Sequence, residues 1–241
     1  MDIDSFETAV DSFKTLYENR KVLLGGLLGT IFVVTIVLLL PNAQTIKAQT
    51  AANPAAVGSI LVLIAEVAII ATIVQSLLVS FMISATYYPE KRVGELAKMA
   101  VGRWPYLIIS EIIYTVVVFI GLVALVIPGI YLAIRLYPYY ASVVAGKYGP
   151  IDGLKRAWGM TRGQTWAILG LAIIIVVVIL VVELAFSAAN QILGTAVGGF
   201  LGYAQPVAGV LIYKQLSPQV ARKGKGNGNR NGIGIKRARK S

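Results

Sequence analysis

Apolar residues along this chain gather into about six runs, separated by short polar segments. Most runs have roughly the 20 residues that an α-helix needs to cross a hydrocarbon core about 30 Å thick. The pattern therefore predicts an all-α, polytopic membrane protein whose transmembrane helices form three hairpins. The fourth run is marginal for a full crossing, so it either borrows flanking residues that snorkel or forms a hairpin that stops short. The predicted spans are 22–40, 57–85, 106–127, 130–145, 166–186 and 191–216.

A short amphipathic segment precedes each hairpin. Segment 4–20 has Asp4 in position to cap a helix, with Glu7 three residues later. The other two segments begin at Pro89 and Pro150, because proline suits the first turn of a helix. We expect all three to be cytoplasmic helices that lie on the membrane surface. The apolar stripe of the first segment consists of Phe6, Val10, Phe13 and Tyr17.

Composition fits a membrane protein and adds an orientation. Of the 241 residues, 57% are hydrophobic and only 14% are charged, whereas a soluble domain carries roughly 25% charged residues. Twenty of the 22 basic residues fall in segments on one predicted side, Lys47 falls on the other side, and Arg135 lies within a span. The positive-inside rule then predicts a cell-membrane protein with both termini in the cytoplasm. The acid-rich start is unlike a signal peptide, so we expect residues 1–21 to form a cytoplasmic helix.

The last segment of the chain is strongly basic. Segment 217–241 has no apolar periodicity, which predicts a disordered cytoplasmic tail after a six-span membrane domain at 22–216. Such a tail would bind anionic lipid headgroups, at about 1 kcal/mol for each basic residue near the surface. Nucleic acid is the less favoured partner, because the tail has no aromatic residue for base stacking. A topology determinant without a partner is the plainest alternative. The basic residues concerned are Arg222, Lys223, Lys225, Arg230, Lys236, Arg237, Arg239 and Lys240.

Four ionisable side chains lie inside the predicted spans. A charged side chain at mid-helix costs roughly 2.5–3.5 kcal/mol on insertion scales, so each of them needs a partner or a function. We predict that Arg135 forms an internal ion pair with Glu183 or Glu66 that fixes helix packing. A functional polar site and simple snorkelling are the alternatives. Glu111 is expected near the cytoplasmic end of the third span, within reach of Arg103, Lys155 or Arg156.

Small residues and a proline mark the helix contacts. Glycines spaced four residues apart in the first and last spans allow close packing between helices of one chain, which we favour over a dimer seam or a ligand groove. Pro138 should kink the fourth span or free a backbone carbonyl. The glycines are Gly25, Gly29, Gly194, Gly198 and Gly202.

The centre of the chain carries the sequence I-P-G at 127–129, Arg135 in the apolar run that follows, and L-K-R-A-W at 154–158. We expect Pro128 and Gly129 to form the outer turn of the middle hairpin. The second half of the motif should anchor the inner membrane surface through Lys155, Arg156 and Trp158.

This motif resembles the membrane domain attached to some glycerophosphoryl diester phosphodiesterases, and free-standing bacterial and archaeal proteins of that type. The resemblance covers the central part of the chain, with Gly153 where alanine is usual, and the six-span layout more loosely. It implies a fold. The phosphodiesterase activity of the family belongs to a separate soluble barrel domain with catalytic histidines, and this chain has no histidine. That activity is therefore not carried over.

The chain has no cysteine either, which excludes disulfides and thiolate chemistry as well as histidine-based sites. We expect no cofactor, no metal and no enzymatic activity, and predict a scaffold, lipid-organising or accessory protein with lipids and a membrane protein as partners. The alternative is a small-molecule or lipid transporter that uses Arg135 and its acidic partner. A membrane-embedded enzyme is the least favoured interpretation. A cavity lined by Arg135, Glu66 and Glu183 would favour transport, and a filled core would favour the scaffold.

Overall fold

The computed structural model describes residues 3–40, 46, 49, 51, 53 and 56–217. These residues are mostly helical and no strand occurs among them, which confirms the predicted all-α class. The helices are α1 (Ser5–Glu18), α2 (Arg20–Leu39), α3 (Ala56–Tyr87), α4 (Val93–Ala124), α5 (Val126–Leu136), α6 (Tyr139–Val144), α7 (Pro150–Met160), α8 (Thr165–Ser187), α9 (Gln191–Gly202) and α10 (204–217).

Five helical stretches in this part of the chain are long and apolar enough to cross a membrane. They are α2, α3, α4, α8 and the stretch Gln191–Ser217, which contains α9 and α10. The last stretch is interrupted at Tyr203, just before Pro206. Proline lacks the N–H that would bond the carbonyl four residues back, and this explains the break. The lengths and composition of these helices fit a membrane protein.

The core is centred on α10, at the end of the bundle where α3 ends and α4 begins. The Nζ of Lys214 donates a 2.7 Å hydrogen bond to the carbonyl of Thr86 at the end of α3, and the rings of Tyr213 and Tyr87 lie 5.9 Å apart. By contrast, the first half of α3 is exposed on nearly every face. The packing therefore tightens toward one end of the molecule. The buried side chains of α10 are Ala204, Val207, Ala208, Val210, Ile212, Tyr213 and Leu216.

The second predicted surface helix is not a separate element. Pro89 lies in the turn after α3, and α4 then runs without a break from Val93 to Ala124, across Pro105. A proline removes one hydrogen bond from a helix, and neighbouring helices can compensate for it when the helix packs inside a bundle. The prediction of a short surface helix followed by a distinct span is therefore wrong for this part of the chain.

The middle hairpin turns earlier than predicted. The backbone leaves the helical conformation at Leu125, whose φ is −161° and ψ is 134°. Pro128 and Gly129 instead lie in the first turns of α5, where proline is well tolerated. A Cβ built on Gly129 would lie 2.5 Å from the backbone nitrogen of Leu122, so the glycine lets α5 pack closely on the end of α4. The predicted Pro128–Gly129 turn is wrong, and its residues have a packing role.

The predicted fourth span is divided into α5 and α6. The helix is interrupted at Tyr137 and Pro138, so the expected disruption of this span at Pro138 is confirmed. The end of α6 lies beside the end of α3, where the hydroxyl of Tyr88 donates a 3.2 Å hydrogen bond to the carbonyl of Ala145. Burial raises the pKa of the Tyr88 hydroxyl, with smaller contributions from Tyr87 and Glu90, and this keeps it a protonated donor.

The two amphipathic helices α1 and α7 pack through small side chains. Asp4 caps α1 as predicted, because its carboxylate accepts hydrogen bonds from the N–H groups of Phe6 and Glu7. The protein-facing residues of α1 are mostly small or polar, whereas Phe6 and Tyr17 of the apolar stripe point away from the protein. Those outward side chains are the ones that a membrane surface would cover. The buried residues are Thr8, Ala9, Ser12 and Leu16 in α1, and Gly153, Leu154, Ala157 and Met160 in α7.

Candidate functional site

Arg135 is buried, with 4% of its surface exposed. Its Nη2 donates a 2.6 Å hydrogen bond to the backbone carbonyl of Trp158, and its guanidinium carbon lies 4.4 Å from the centre of the Trp158 ring. Within the described ranges, the one ion pair closer than 4.0 Å joins Lys91 and Glu95. The predicted ion pair of Arg135 with Glu183 or Glu66 is therefore wrong.

The end of α7 takes the place of an acid beside Arg135. Carbonyl groups in the last turn of a helix lack intrahelical partners and together carry about half a negative charge. Trp158 lies in that last turn, and Thr161 follows it as the C-cap. The hydroxyl of Thr161 in turn donates a 2.7 Å hydrogen bond to the carbonyl of Arg135. Hydrogen bonds in both directions thus join α5 to α7. The guanidinium contacts a helix end and an aromatic face, while its buried Nε has no hydrogen-bond partner among the described residues.

The two acids expected beside Arg135 lie elsewhere. Glu66 is exposed in the first half of α3. Glu183 is half-buried in α8 against α9, where a Cβ built on Gly198 would lie 2.8 Å from its Oε2. Gly194 and Gly198 therefore face α8 as the glycine spacing predicted, whereas a Cβ on Gly202 would meet nothing within 4 Å. The structure brings none of the three predicted polar residues together.

Glu111 borders a cavity. It makes no ion pair within 4.0 Å in the described ranges, so the expected contact with Arg103, Lys155 or Arg156 is absent there. Arg103 lies instead 5.5 Å from the centre of the Tyr106 ring. The cavity has a volume of about 440 Å³ and lies between α3, α4, the α5–α6 junction and the start of α10. Its lining residues are Ala71, Thr72, Gln75, Ser76, Val79, Leu107, Glu111, Tyr114, Tyr137, Tyr139, Tyr140, Gln205 and Pro206.

Tyrosines on both sides of the α5–α6 break form one wall of this cavity. The hydroxyls of Tyr137 and Tyr140 both donate to the backbone carbonyl of Gln205, over 2.9 and 3.0 Å. The ring of Tyr139 stacks on that of Tyr114 in α4, with 4.8 Å between their centres. The segment Y-P-Y-Y could have been noticed in the sequence, but only the helix break places its side chains together.

Gln75 of α3 also lines the cavity, and two hydrogen bonds fix its side chain. Its Nε2 donates a 3.3 Å hydrogen bond to the carbonyl of Gly29 in α2, and its Oε1 accepts a 2.6 Å hydrogen bond from the hydroxyl of Tyr203. A Cβ on Gly29 would collide with that same hydroxyl. Gly29 of the predicted glycine pair therefore supports the wall from outside the cavity, because it lets Tyr203 reach Gln75 between the helices.

A crevice on the outer side of α3 and α4 lies next to the cavity. The crevice has a volume of about 660 Å³, and both spaces are bordered by Thr72 and Glu111. Its remaining residues are almost all apolar, and two of them, Ile69 and Ile112, are 62% and 58% exposed. Glu111 thus lies between an apolar, outward-facing crevice and a cavity whose lining includes more polar side chains.

The predicted surface anchor has a second role. Lys155 is exposed, and the guanidinium of Arg156 lies 5.5 Å from the centre of the Tyr148 ring. Trp158 is 39% exposed, and the guanidinium of Arg135 lies over its ring. The predicted lipid-binding basic residues of the tail lie outside the described residues. In the part of the chain that the structure describes, no cluster of three acids could hold a metal ion.

Residues 94–218 match a family model described as a domain of unknown function, DUF7847. The match covers more than half of the chain. The chain belongs to the DUF7847 family. The matched region runs from α4 to the end of α10, so it includes Glu111, the tyrosine wall and the Arg135–Trp158 contact, whereas α3 contributes Gln75 and Thr72 from outside it. No curated protein and no solved structure matches the chain.

Proposed function

We propose that this protein is a non-enzymatic membrane protein that binds and organises lipids, with a lateral site between α3 and α4 for one lipid or lipid-like molecule. The observation that supports this proposal is the position of Glu111, which borders both the outward-facing crevice and the tyrosine-lined cavity. An amphiphile has an apolar chain and a polar head, and these two spaces match its two parts. Ligand sites are commonly largely apolar clefts with a few convergent polar groups.

The proposed topology has six crossings in three hairpins, with α5 and α6 together forming the fourth. Basic residues support a common cytoplasmic end. The Nζ of Lys21 donates to the carbonyls of Pro89 and Lys91, both over 2.6 Å, and Lys214 lies beside the end of α3. By the positive-inside rule this end faces the cytoplasm of a cell-membrane protein, together with both termini. Anionic headgroups near the basic tail would add to that orientation.

The resemblance to the membrane domain of glycerophosphoryl diester phosphodiesterases stays part of the proposal. Its support is that the motif residues belong to one packed unit: Gly129 packs on α4, Arg135 contacts Trp158, and Gly153 packs on Val143.

Transport is the second candidate. The Arg135–acid pair on which it was based is absent from the described residues, so a transport route would have to use the Glu111 cavity. Net movement of the amphiphile from one leaflet to the other would distinguish transport from binding. A membrane-embedded enzyme has no support from the cavity, whose lining has one carboxylate and hydroxyl and amide groups.

The lateral site can be tested by photo-crosslinking. The full chain is placed in liposomes that contain a phospholipid with a diazirine in its acyl chain, and crosslinked peptides are mapped by mass spectrometry. We expect labelling of the crevice residues Ile69, Ile73 and Ile112 to exceed labelling of α8 residues of similar exposure such as Val176. Ile112→Trp should fill the crevice and reduce its labelling, and Val176→Trp serves as the matched control. Equal labelling of all exposed apolar residues would contradict a lateral lipid site.

A further inference from the structure

The electrostatics of the Glu111 cavity select one class of ligand. Among its lining residues, Glu111 is the one charged side chain and there is no lysine or arginine. Glu111 accepts no hydrogen bond from any residue that the structure describes, and it forms no ion pair with any of them within 4.0 Å. A carboxylate that faces a low-dielectric space without a cation beside it favours a positively charged group and repels an anion.

The aromatic wall has the same preference. The faces of aromatic rings carry partial negative charge and attract ammonium groups. Tyr114, Tyr139 and Tyr140 form a continuous ring cluster, with centres 4.8 Å apart for Tyr114–Tyr139 and 5.2 Å apart for Tyr139–Tyr140. Tyr137 and Tyr140 already donate their hydroxyl hydrogens to the Gln205 carbonyl, so these two hydroxyls are not free to donate to a phosphate.

The crevice supplies the place for an apolar chain. It shares Glu111 and Thr72 with the lining of the cavity. Its other lining residues include Ile69, Ile73 and Ile112, which are all exposed on the outer side of the bundle. A chain that lies in this crevice would place its head beside the Glu111 carboxylate. A small cation without a chain would have no contact with the crevice and would gain none of its apolar burial.

We propose that the cavity takes the ammonium head of a cationic amphiphile, whose chain occupies the α3–α4 crevice. This inference rests on the proposed lateral site and adds the charge of its ligand. Glu111 pairs with the ammonium group, and the tyrosine rings surround it. The shared chemistry is an ammonium on an alkyl chain, whether it comes from a membrane lipid or from a soluble amphiphile.

Competition in uncharged detergent tests the inference. The full chain in dodecyl maltoside micelles is photo-crosslinked with a diazirine-bearing dodecyltrimethylammonium probe. Unlabelled dodecyltrimethylammonium, dodecanol, dodecyl sulfate and tetramethylammonium are then added as competitors. We expect dodecyltrimethylammonium to compete at a concentration at least about tenfold lower than dodecanol or dodecyl sulfate, given the strength of a desolvated cation–π contact. Tetramethylammonium, which lacks the chain, should compete weakly.

Two variants separate the site from general partitioning into the micelle. Glu111→Gln should remove the preference for the ammonium head. Glu66→Gln, which removes an exposed acid from α3 outside both spaces, should keep it. The competition in the unaltered chain stays decisive if Glu111→Gln fails to fold.

Three results would overturn the proposal, and they are distinguishable. Equal competition by all three dodecyl compounds would reject the charge selection and leave the lateral site in place. Crosslinks spread over all exposed helices, with none concentrated at α3 and α4, would reject the lateral site as well. Strong competition by tetramethylammonium would show a cation site that does not use the crevice.

Discussion

Arg135 and Trp158 are in contact twice: the guanidinium donates a hydrogen bond to the backbone carbonyl of Trp158 and also lies over its indole ring. The first contact places a cation at the C-terminal end of α7, and the second supplies an aromatic face. Tyr131 adds a further ring, whose centre lies 5.8 Å from the guanidinium carbon. These contacts hold the buried Arg135 without a carboxylate, while its Nε lacks a hydrogen-bond partner in the part of the chain that the structure describes.

The partner of Arg135 can be identified by double-mutant cycles. Arg135→Met and Trp158→Leu should be coupled by about 0.5–2 kcal/mol, because each removes one side of the cation–π contact. Arg135→Met and Glu183→Gln should be additive, because the structure places no ion pair between these residues. The measurement is the free energy of unfolding by denaturant titration in mild detergent. Coupling with Glu183→Gln and none with Trp158→Leu would restore the ion-pair hypothesis.

The reverse hydrogen bond of this contact gives a second prediction. Thr161→Val keeps the shape of the side chain but removes the donor to the Arg135 carbonyl, which should cost about 0.5–1.5 kcal/mol of unfolding free energy. Thr35→Val is the matched control, since the Thr35 hydroxyl bonds to a carbonyl within its own exposed helix. Its effect on the same titration should be near zero. Equal effects of the two variants would mean that the Thr161–Arg135 bond adds nothing to stability.

The contact between Gly29 and Tyr203 gives a third prediction. Gly29→Ala would place a methyl group against the Tyr203 hydroxyl and disturb its hydrogen bond to Gln75, so it should lower the unfolding free energy by about 1–3 kcal/mol, as overpacking does. Gly102→Ala in α4 should be neutral or stabilising, since nothing lies within 4 Å of a Cβ there and alanine favours the helix. Thermal unfolding followed by circular dichroism would compare them. A stable Gly29→Ala variant would show that Tyr203 moves away freely.

Local signals in the sequence predicted much of the fold. The apolar runs predicted α2, α3 and α8 because their length is set by the membrane, and Pro138 predicted the helix break because proline disrupts the helical ladder. Asp4 predicted the start of α1 for an equally local reason: it caps the N–H groups of the next residues. Each of these features depends on residues close together in the chain.

Features that depend on distant contacts were missed. Continuity through Pro105 depends on the packing of neighbouring helices, and the turn at Leu125 depends on how closely Gly129 approaches α4. The partner of Arg135 is a backbone carbonyl, which every residue has, so no residue type marks it in the sequence. The sequence marks Glu111 as an acid inside an apolar run, but its predicted basic neighbours were wrong. The residues beside it in the cavity lining include the tyrosines of the α5–α6 junction, which the helix break brings together.

The break at Pro138 gives the last prediction, which concerns the cavity. Pro138→Ala restores a backbone N–H and favours a continuous helix through the junction, by about 3 kcal/mol in helix propensity. A continuous helix would turn Tyr137 and Tyr140 by different angles, so that they could no longer both donate to the Gln205 carbonyl. We therefore expect the variant to lose crevice and cavity labelling by the diazirine amphiphile while its helix content is kept or raised.

Pro105→Ala is the control for this variant. Pro105 is an exposed residue inside α4, which runs through it without a break, so an alanine can follow the same backbone path. Its labelling should match that of the unaltered chain. Because both substitutions replace a proline by alanine, a loss of labelling in Pro138→Ala alone would assign the effect to the helix break. If Pro138→Ala is labelled normally, the break is not what forms the tyrosine wall, and tertiary packing against α10 holds the junction in place by itself.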